Sequence, residues 1–473
     1  MEGAPPVVVV SNRGPLSFEI GPDGLVARRG AGGLVSGLAP LLADTGTVWI
    51  AAAMTEADRL AAERGVVDAE GFRAHLLAPD EATYRAAYDV VCNQTLWFLH
   101  HGLWDLARRP RFDRHWRRAW EAYRSVNRAF ADVVARVAPD GARVLIQDYH
   151  LCLLAPALRR ERPDLRLVHF THTPVAGPDL FGVLPTDVAL ELLEAMAAHH
   201  ACGFHTPRWA QRWRSSYQEL VGHPPDCGVF VAPLGPEPAD LAASAASAES
   251  RRAFEALDAT VGDRALLVRV DRIELSKNLL RGFLAFDELL TGWPEWRERV
   301  VFGAFCYPSR EKLSEYLAYR QEVEAVVTDI NRRWSTPGWT PILFETDDDY
   351  PRSVAALRRY DVLLVNPIRD GLNLVAKEGP LLNERHGLLC LSTEAGAWYE
   401  LAGTARRIDP YDISGTAEVL AAALGASADE RRAEADELRR RAAARTPRDW
   451  LADQLRAAEP GAPPNPATGQ PLG

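Results

Sequence analysis

The chain has 473 residues, 47% hydrophobic and 25% charged, with a formal net charge of −10. That length exceeds what a single core of ordinary size supports, so two domains are expected. An acidic surface repels nucleic acid and anionic membrane, which argues against both as partners, and no stretch approaches the ~18 apolar residues of a membrane span.

The N-terminus, Met1-Glu2-Gly3-Ala4-Pro5-Pro6, has no basic region, and the four valines after it are too few for a signal peptide. The expected address is the cytoplasm. Val7–Ser11 reads as a buried strand. Val144–Asp148, Leu167–His172, Cys202–Thr206 and Val229–Leu234 follow, separated by helical patterns such as Thr186–His199 and Pro207–Val221. After a helical segment near 239–258 the pattern restarts with Leu266–Val270, Val300–Phe305, Ile342–Glu345, Val362–Asn366 and Leu388–Leu391. Apolar strands separated by helices predict parallel sheets covered on both faces, here two Rossmann-like halves. Gly235-Pro236-Glu237-Pro238 is a natural break. The expected division is 1–238, then 239–445, then a helix over 446–458 returning to the first domain, and a disordered tail over 459–473. The six cysteines (Cys92, Cys152, Cys202, Cys227, Cys306, Cys390) include no C-x-x-C pair. They read as reduced core residues, and no zinc is expected.

Ligands of open parallel sheets sit at the carboxyl ends of strands, so residues there are the candidates, and the default site is the cleft between the two domains. Arg13 follows the first strand, and Gly30-Ala31-Gly32-Gly33 could bring backbone N–H groups close to phosphate or sugar oxygens. A dinucleotide fingerprint fits poorly, because about 18 residues separate those glycines from the strand; a plain loop fits as well. Tyr88 and Trp97, aromatics nine apart with Asn93 between them, are either core or a binding surface. Asp148 in Gln147-Asp148-Tyr149-His150 either binds a hydroxyl or caps a helix. His172 in His169-Phe170-Thr171-His172-Thr173-Pro174 also ends a strand, and a histidine there is more often structural than catalytic. Asp347-Asp348-Asp349 is read as a cap and solvated turn, not a metal site.

The second half holds the stronger signals. In Arg272-Ile273-Glu274-Leu275-Ser276-Lys277 two cations five apart follow a strand and open a helix. They can converge on one anion, each charge-assisted hydrogen bond contributing ~1.5–3 kcal/mol. In Asn366-Pro367-Ile368-Arg369-Asp370-Gly371-Leu372-Asn373-Leu374-Val375-Ala376-Lys377-Glu378 a strand runs into an Asp-Gly turn and then a helix. Asp370 can accept from sugar hydroxyls and Glu378 from a ribose diol. One carboxylate for the transferred sugar and one for the ribose suits a nucleotide-sugar donor.

Together these residues resemble the trehalose-6-phosphate synthase family of retaining glycosyltransferases. The resemblance runs from about Val7 to about residue 455 through Ser11-Asn12-Arg13, Gly32-Gly33-Leu34, Tyr88 with Leu96-Trp97, Gln147–His150, His172-Thr173-Pro174, Arg272-x4-Lys277, Pro308-Ser309-Arg310 and Arg369–Glu378. It implies the α/β GT-B architecture, two Rossmann-like domains with parallel sheets facing across a cleft. It also implies transfer of glucose from UDP- or GDP-glucose to glucose 6-phosphate, with no metal and no cofactor, and leaves a homo-oligomer open. Arg272 and Lys277 look like the grip on the donor diphosphate. Asp370 with the backbone of Gly371, Leu372, Asn373 and Leu374 looks like the glucose and phosphate contact. Glu378 looks like the ribose ligand, and Gly33 resembles the glycine at the donor phosphate. His172 is similar to the histidine at the transferred glucose. Arg13, Tyr88, Trp97 and Arg310 resemble the cradle for the acceptor's phosphate, and Asp148 the acceptor's hydroxyl ligand.

The pattern resembles actinobacterial members more than enterobacterial ones, and it departs from the family in places. Ile50-Ala51-Ala52-Ala53 lacks the second tryptophan that family members often carry after the one matching Trp49. The usual His-Ile-Pro-Phe-Pro is His172-Thr173-Pro174-Val175-Ala176, and Asn278 follows Lys277 in place of glycine. The first two bear on the acceptor. A different phosphorylated acceptor, such as glycerol 3-phosphate or an aminocyclitol phosphate, is therefore the nearest rival. A catalytically silent sugar-phosphate-binding homologue is a more distant one.

Overall fold

A computed structural model describes residues 5–22, 24–29, 33–43, 45–311 and 313–461. The expected loop glycines at 30 and 32 and the tail from 462 on lie outside the described residues. The chain forms two compact units. The described residues up to Leu234 make one together with those from Pro447 on, and Gly235–Thr446 make the other.

The first unit contains β1 (Val7–Val10), the hairpin β2 (Leu16–Gly21) and β3 (Gly24–Arg29), then β4 (Val48–Ala52), β5 (Val66–Ala69) and β6 (Phe72–Leu77). After a long helix, Arg114–Val137, come β7 (Arg143–Gln147), β8 (Arg166–Thr171), β9 (Ala201–Phe204) and β10 (Gly228–Val231). Eight of these pair in the order β10-β9-β8-β7-β1-β4-β6-β5. All pairings are parallel except β5 with β6, and β2–β3 is a separate antiparallel ribbon. The central parallel strands β1 and β4 are buried along nearly their whole length, and β7 and β8 after a half-buried arginine, as strands covered on both faces are. β5 alternates exposed and half-buried residues, as an antiparallel edge facing water does. That alternation conceals β5 from a search for apolar runs.

Helix boundaries follow local chemistry. Thr206 caps the helix Pro207–Val221 by accepting from the Trp209 N–H at 3.2 Å, proline occupies the first turn, and Gly222 ends it at φ 96°. The helix Pro447–Ala457 packs into the first unit. Trp450 is fully buried, edge-on to Phe170 at 5.1 Å, and Nε of Arg166 donates to the Ala458 carbonyl at 2.9 Å.

The second unit has one six-stranded sheet, β11 (Ala265–Ile273), β12 (Val300–Pro308), β13 (Ile342–Glu345), β14 (Val362–Val365), β15 (Leu388–Ser392) and β16 (Arg406–Ile408). The order is β13-β12-β11-β14-β15-β16, every pairing parallel. Two details differ from the pattern-based reading. The helical segment near 239–258 is two helices, Pro238–Ala246 and Ala248–Val261, with Ser247 in extended backbone capping the second. β11 runs on to Ile273, so Arg272 lies inside the strand, in register with Tyr307 of β12. Asp271 and Arg272 hide that extension from a hydrophobicity pattern. Among the described residues no helix is long and apolar enough to cross a membrane.

Candidate active site

In the second unit β11 and β14 lie side by side at the centre. β12 and β13 extend the sheet on one side, β15 and β16 on the other. Loops leaving two such neighbours diverge, and ligands of open parallel sheets bind there. The loop after β11 carries Lys277 and the loop after β14 carries Asp370. Nζ of Lys277 is 2.5 Å from Oδ2 of Asp370 and 3.9 Å from Oδ1 of Asp271. Burial opposes the ammonium charge, but Asp370 and Asp271 outweigh it and hold the pKa above the ordinary lysine value. A fixed cation therefore stands here at neutral pH. Arg272 is near enough to act against that charge, so the two predicted cations are neighbours.

Asp370 is held by backbone on both sides. Its N–H donates to the Glu394 carbonyl at 3.0 Å, and its own carbonyl accepts from Gly396 N–H at 3.1 Å. A Cβ at Gly396 would lie 2.0 Å from the Gly371 carbonyl oxygen, so only glycine permits this approach. The Asp370 carboxylate accepts from Nδ2 of Asn373 at 3.1 Å and from the Leu372 N–H at 3.4 Å. Asn373 is left-handed at φ 75°, and its side chain accepts from Ala376 N–H at the start of the helix Val375–Leu382. Lys377 is wholly buried and paired with Glu400 at 2.9 Å, so this basic residue anchors the helix. The next residue, Glu378, is partly buried, and desolvation pushes its carboxyl up to about 7. Arg310, after β12, is ion-paired with fully buried Glu274, which also accepts from the Tyr316 hydroxyl at 2.6 Å.

In the first unit β1 and β7 are the adjacent strands from which the chain departs in opposite directions. Asn12 and Arg13 follow β1 and Asp148 follows β7. Oδ1 of Asn12 accepts from the Tyr84 hydroxyl at 2.9 Å. From Tyr84 a run of rings leads to Tyr88 (5.6 Å), His150 (5.8 Å), Tyr149 (4.1 Å) and Trp97 (5.9 Å). Tyr88 lies in an eleven-residue π-helix, Ala86–Leu96, whose wide turn brings residues nine apart into one aromatic group with Trp97. Arg13 is exposed. Gly33 opens the helix Gly33–Leu42.

Asp148 has φ 71°, a strained value for an L-residue, and its Oδ1 accepts from the His172 N–H at 3.1 Å. It caps no helix. The His172 ring sits in a chain of hydrogen bonds whose direction is fixed from one end. Leu234 N–H donates to Nδ1 of His205 at 3.4 Å, so Nε2 of His205 carries the proton and donates to Nδ1 of His172 at 3.2 Å. Nε2 of His172 then donates to Oε1 of Gln147 at 3.0 Å, and Nε2 of Gln147 to Oε1 of Gln454 at 2.9 Å. Burial lowers the His172 pKa to about 3, so the ring is neutral and both its nitrogens are engaged within the unit.

His205, Trp450 and Gln454 around His172, and Arg269 and Glu274 behind Lys277 and Arg310, are not among the residues that local sequence pattern marks out. The first three are distant in sequence and carry no local signal. Arg269 does carry one, a charge inside the apolar run Leu266–Val270.

Two Rossmann-like α/β units, each with polar residues gathered where its strand order reverses, define the GT-B class of glycosyltransferases. The profile of Glycosyltransferase family 20 matches residues 5–459. The chain belongs to that family and is a nucleotide-sugar-dependent glycosyltransferase. It is similar to the trehalose-6-phosphate synthase of Mycolicibacterium smegmatis, 33% identical over 97% of this chain and 93% of that one. Among solved structures it resembles an α,α-trehalose-phosphate synthase (UDP-forming) from Burkholderia vietnamiensis, with TM-score 0.82, 29% identity, and coverage of 96% of this chain and 100% of that one. The enzyme from Burkholderia xenovorans in complex with glucose-6-phosphate is also similar, with TM-score 0.83, 28% identity, and coverage of 96% and 99%.

Proposed function

We propose that this protein synthesises α,α-trehalose 6-phosphate, moving glucose from UDP- or GDP-glucose to glucose 6-phosphate with retention of configuration, in the cytoplasm. The observation that carries the reading is the meeting of Lys277 and Asp370 where the strand order of the second sheet reverses, with Arg272 near enough to act on the lysine's charge. A diphosphate leaving group needs fixed cations as its charge builds, and the transferred glucose needs a carboxylate for its hydroxyls. The names of the relatives, one of them UDP-forming and one bound to glucose 6-phosphate, support the same substrates.

Residues 235–446 take the donor in this reading. Arg272 and Lys277 hold the diphosphate, and Gly33 is read as the glycine that approaches the donor phosphate. Asp370 and the backbone of Gly371–Leu374 hold the glucose, and Glu378 the ribose diol. Arg13, Tyr88, Trp97 and Arg310 receive the acceptor's phosphate and sugar ring, and Asp148 its hydroxyl. His172 lies at the transferred glucose as a neutral, oriented group. The acceptor hydroxyl attacks C1 from the face the diphosphate leaves. The C1–O bond to phosphate breaks as the new C1–O bond forms, and a departing phosphate oxygen takes the hydroxyl proton. No carboxylate nucleophile of the glycosidase kind is required.

The test is a panel of UDP- and GDP-glucose against glucose 6-phosphate, glycerol 3-phosphate and an aminocyclitol phosphate, with product identification by mass and NMR. Trehalose 6-phosphate from the glucose 6-phosphate arm is the expected product. Turnover confined to another acceptor would replace the assignment.

A further inference from the structure

We infer that Arg269 is a positioning residue for Lys277, which extends the donor reading above and rests on it. Arg269 has no exposed surface, an unusual place for a guanidinium. One of its terminal nitrogens, Nη2, donates both to Oδ2 of Asp271 at 3.0 Å and to the backbone carbonyl of Lys277 at 2.9 Å. The second bond pins the turn that presents the ammonium. The first settles a competition, because Asp271 lies between two cations, 3.0 Å from Arg269 and 3.9 Å from Lys277. With its charge taken by Arg269, Asp271 does not draw Lys277 inward, and the ammonium stays beside Asp370.

The fold accommodates this arginine at a cost. Nε and Nη1 are buried without hydrogen-bond partners among the described residues, though the guanidinium lies 5.9 Å from the Phe283 ring centre, and a Cβ at Gly282 would lie 2.5 Å from Nη1, so the glycine makes room for the guanidinium. A leucine at 269 would fill an apolar strand without leaving donors unpaired. The two bonds toward Asp271 and Lys277 are what the charge supplies in return. Next to them Asn278, left-handed at φ 62°, donates from Nδ2 to the carbonyls of Asn366 at 3.0 Å and Pro410 at 2.6 Å, tying the same turn to the end of β14. The departure from glycine at 278 thus adds a second hold on the turn that carries Lys277.

The experiment compares wild type, Arg269→Met and Arg269→Met/Asp271→Asn for UDP- and GDP-glucose binding, for the KM of donor and acceptor, and for thermal midpoint. Arg269→Met should raise the donor KM by about tenfold with the acceptor KM unchanged, a split that loss of stability alone does not produce. Neutralising Asp271 in the same chain should recover most of that loss, because the unpaired carboxylate no longer captures Lys277. A donor KM within about twofold of wild type in folded Arg269→Met overturns the role. So does a folded double variant no better than the single one. If Arg269→Met does not fold, Arg269→Gln, which keeps an amide NH2 donor but no charge, carries the same expectation and the same refutation. A wild type that binds neither nucleotide sugar overturns the donor reading and this role with it. A wild type that binds one of them, with Arg269→Met binding it equally well, overturns the role of Arg269 alone.

Discussion

Glu378 changes charge state within the working range. Desolvation raises its carboxyl to about 7, so the free protein holds it half-protonated near neutrality. A ribose diol donates two hydrogen bonds and needs the ionised carboxylate. Only the ionised fraction is competent, so between pH 8 and pH 6 the apparent affinity for a nucleotide sugar should fall about tenfold. Calorimetry with UDP- or GDP-glucose, whose diester diphosphate does not titrate there, measures it, and Glu378→Gln should bind more weakly with a flat profile. The sign for stability is opposite to that of a salt-bridged acid. The folded state holds the proton more tightly than the unfolded one, so stability falls as pH rises from the ordinary glutamate range through about 7. Arg272 makes the sharper catalytic test. Removing one donor from a site of developing charge costs about 10²–10³ in turnover, and Arg272→Ala should lose that much with little change in thermal midpoint. Activity within a few-fold of wild type would remove the arginine from the leaving-group role.

Among the elements, the helix Pro447–Ala457 does the most for residues far from it in sequence. Its Gln454 ends the hydrogen-bond chain that orients His172, and its Trp450 lies against the same ring at 5.5 Å. Fully buried tryptophans cost about 3–5 kcal/mol when truncated, so Trp450→Ala should lower stability by that amount in a denaturant titration. It should also lower kcat in the surviving folded fraction, because His172 loses its support. A variant as stable as wild type, or destabilised yet fully active per folded molecule, separates the helix from the site. The π-helix Ala86–Leu96 works in the same way for the aromatic run. A regular α-helix would put Trp97 on a different face from Tyr88, and the wider turn restores them to one group.

At the scale of the whole molecule the chain builds two units, each with its own core and its own pair of divergent central strands. It enters the second unit at Gly235 and leaves it after Thr446, and these points are adjacent, since a Cβ on Gly235 would lie 1.7 Å from the Arg445 carbonyl oxygen. Separate cores predict separable binding. In hydrogen exchange, UDP or GDP alone should protect the loops 274–278 and 366–374 of the second unit. Protection confined to the first unit would reverse the donor and acceptor assignments.

The sequence by itself determined that the chain is α/β with two parallel sheets, because strands buried on both faces must be apolar throughout and Val7–Val10, Val144–Ile146 and Leu266–Val268 are. It also singled out the loops proposed to carry the chemistry, because Arg272–Lys277 and Asp370–Glu378 combine charge, glycine and helix-start residues that a solvated turn does not need. Tertiary structure alone decided that Lys277 and Asp370 are partners, that Lys377 is an anchor while its neighbour Glu378 titrates near neutrality, and that Arg269, His205 and Gln454 stand behind the site residues. Those facts depend on which strands lie side by side and on how much water each side chain loses. Local pattern records neither, since residues 93 and 307 positions apart meet only once the sheets have formed.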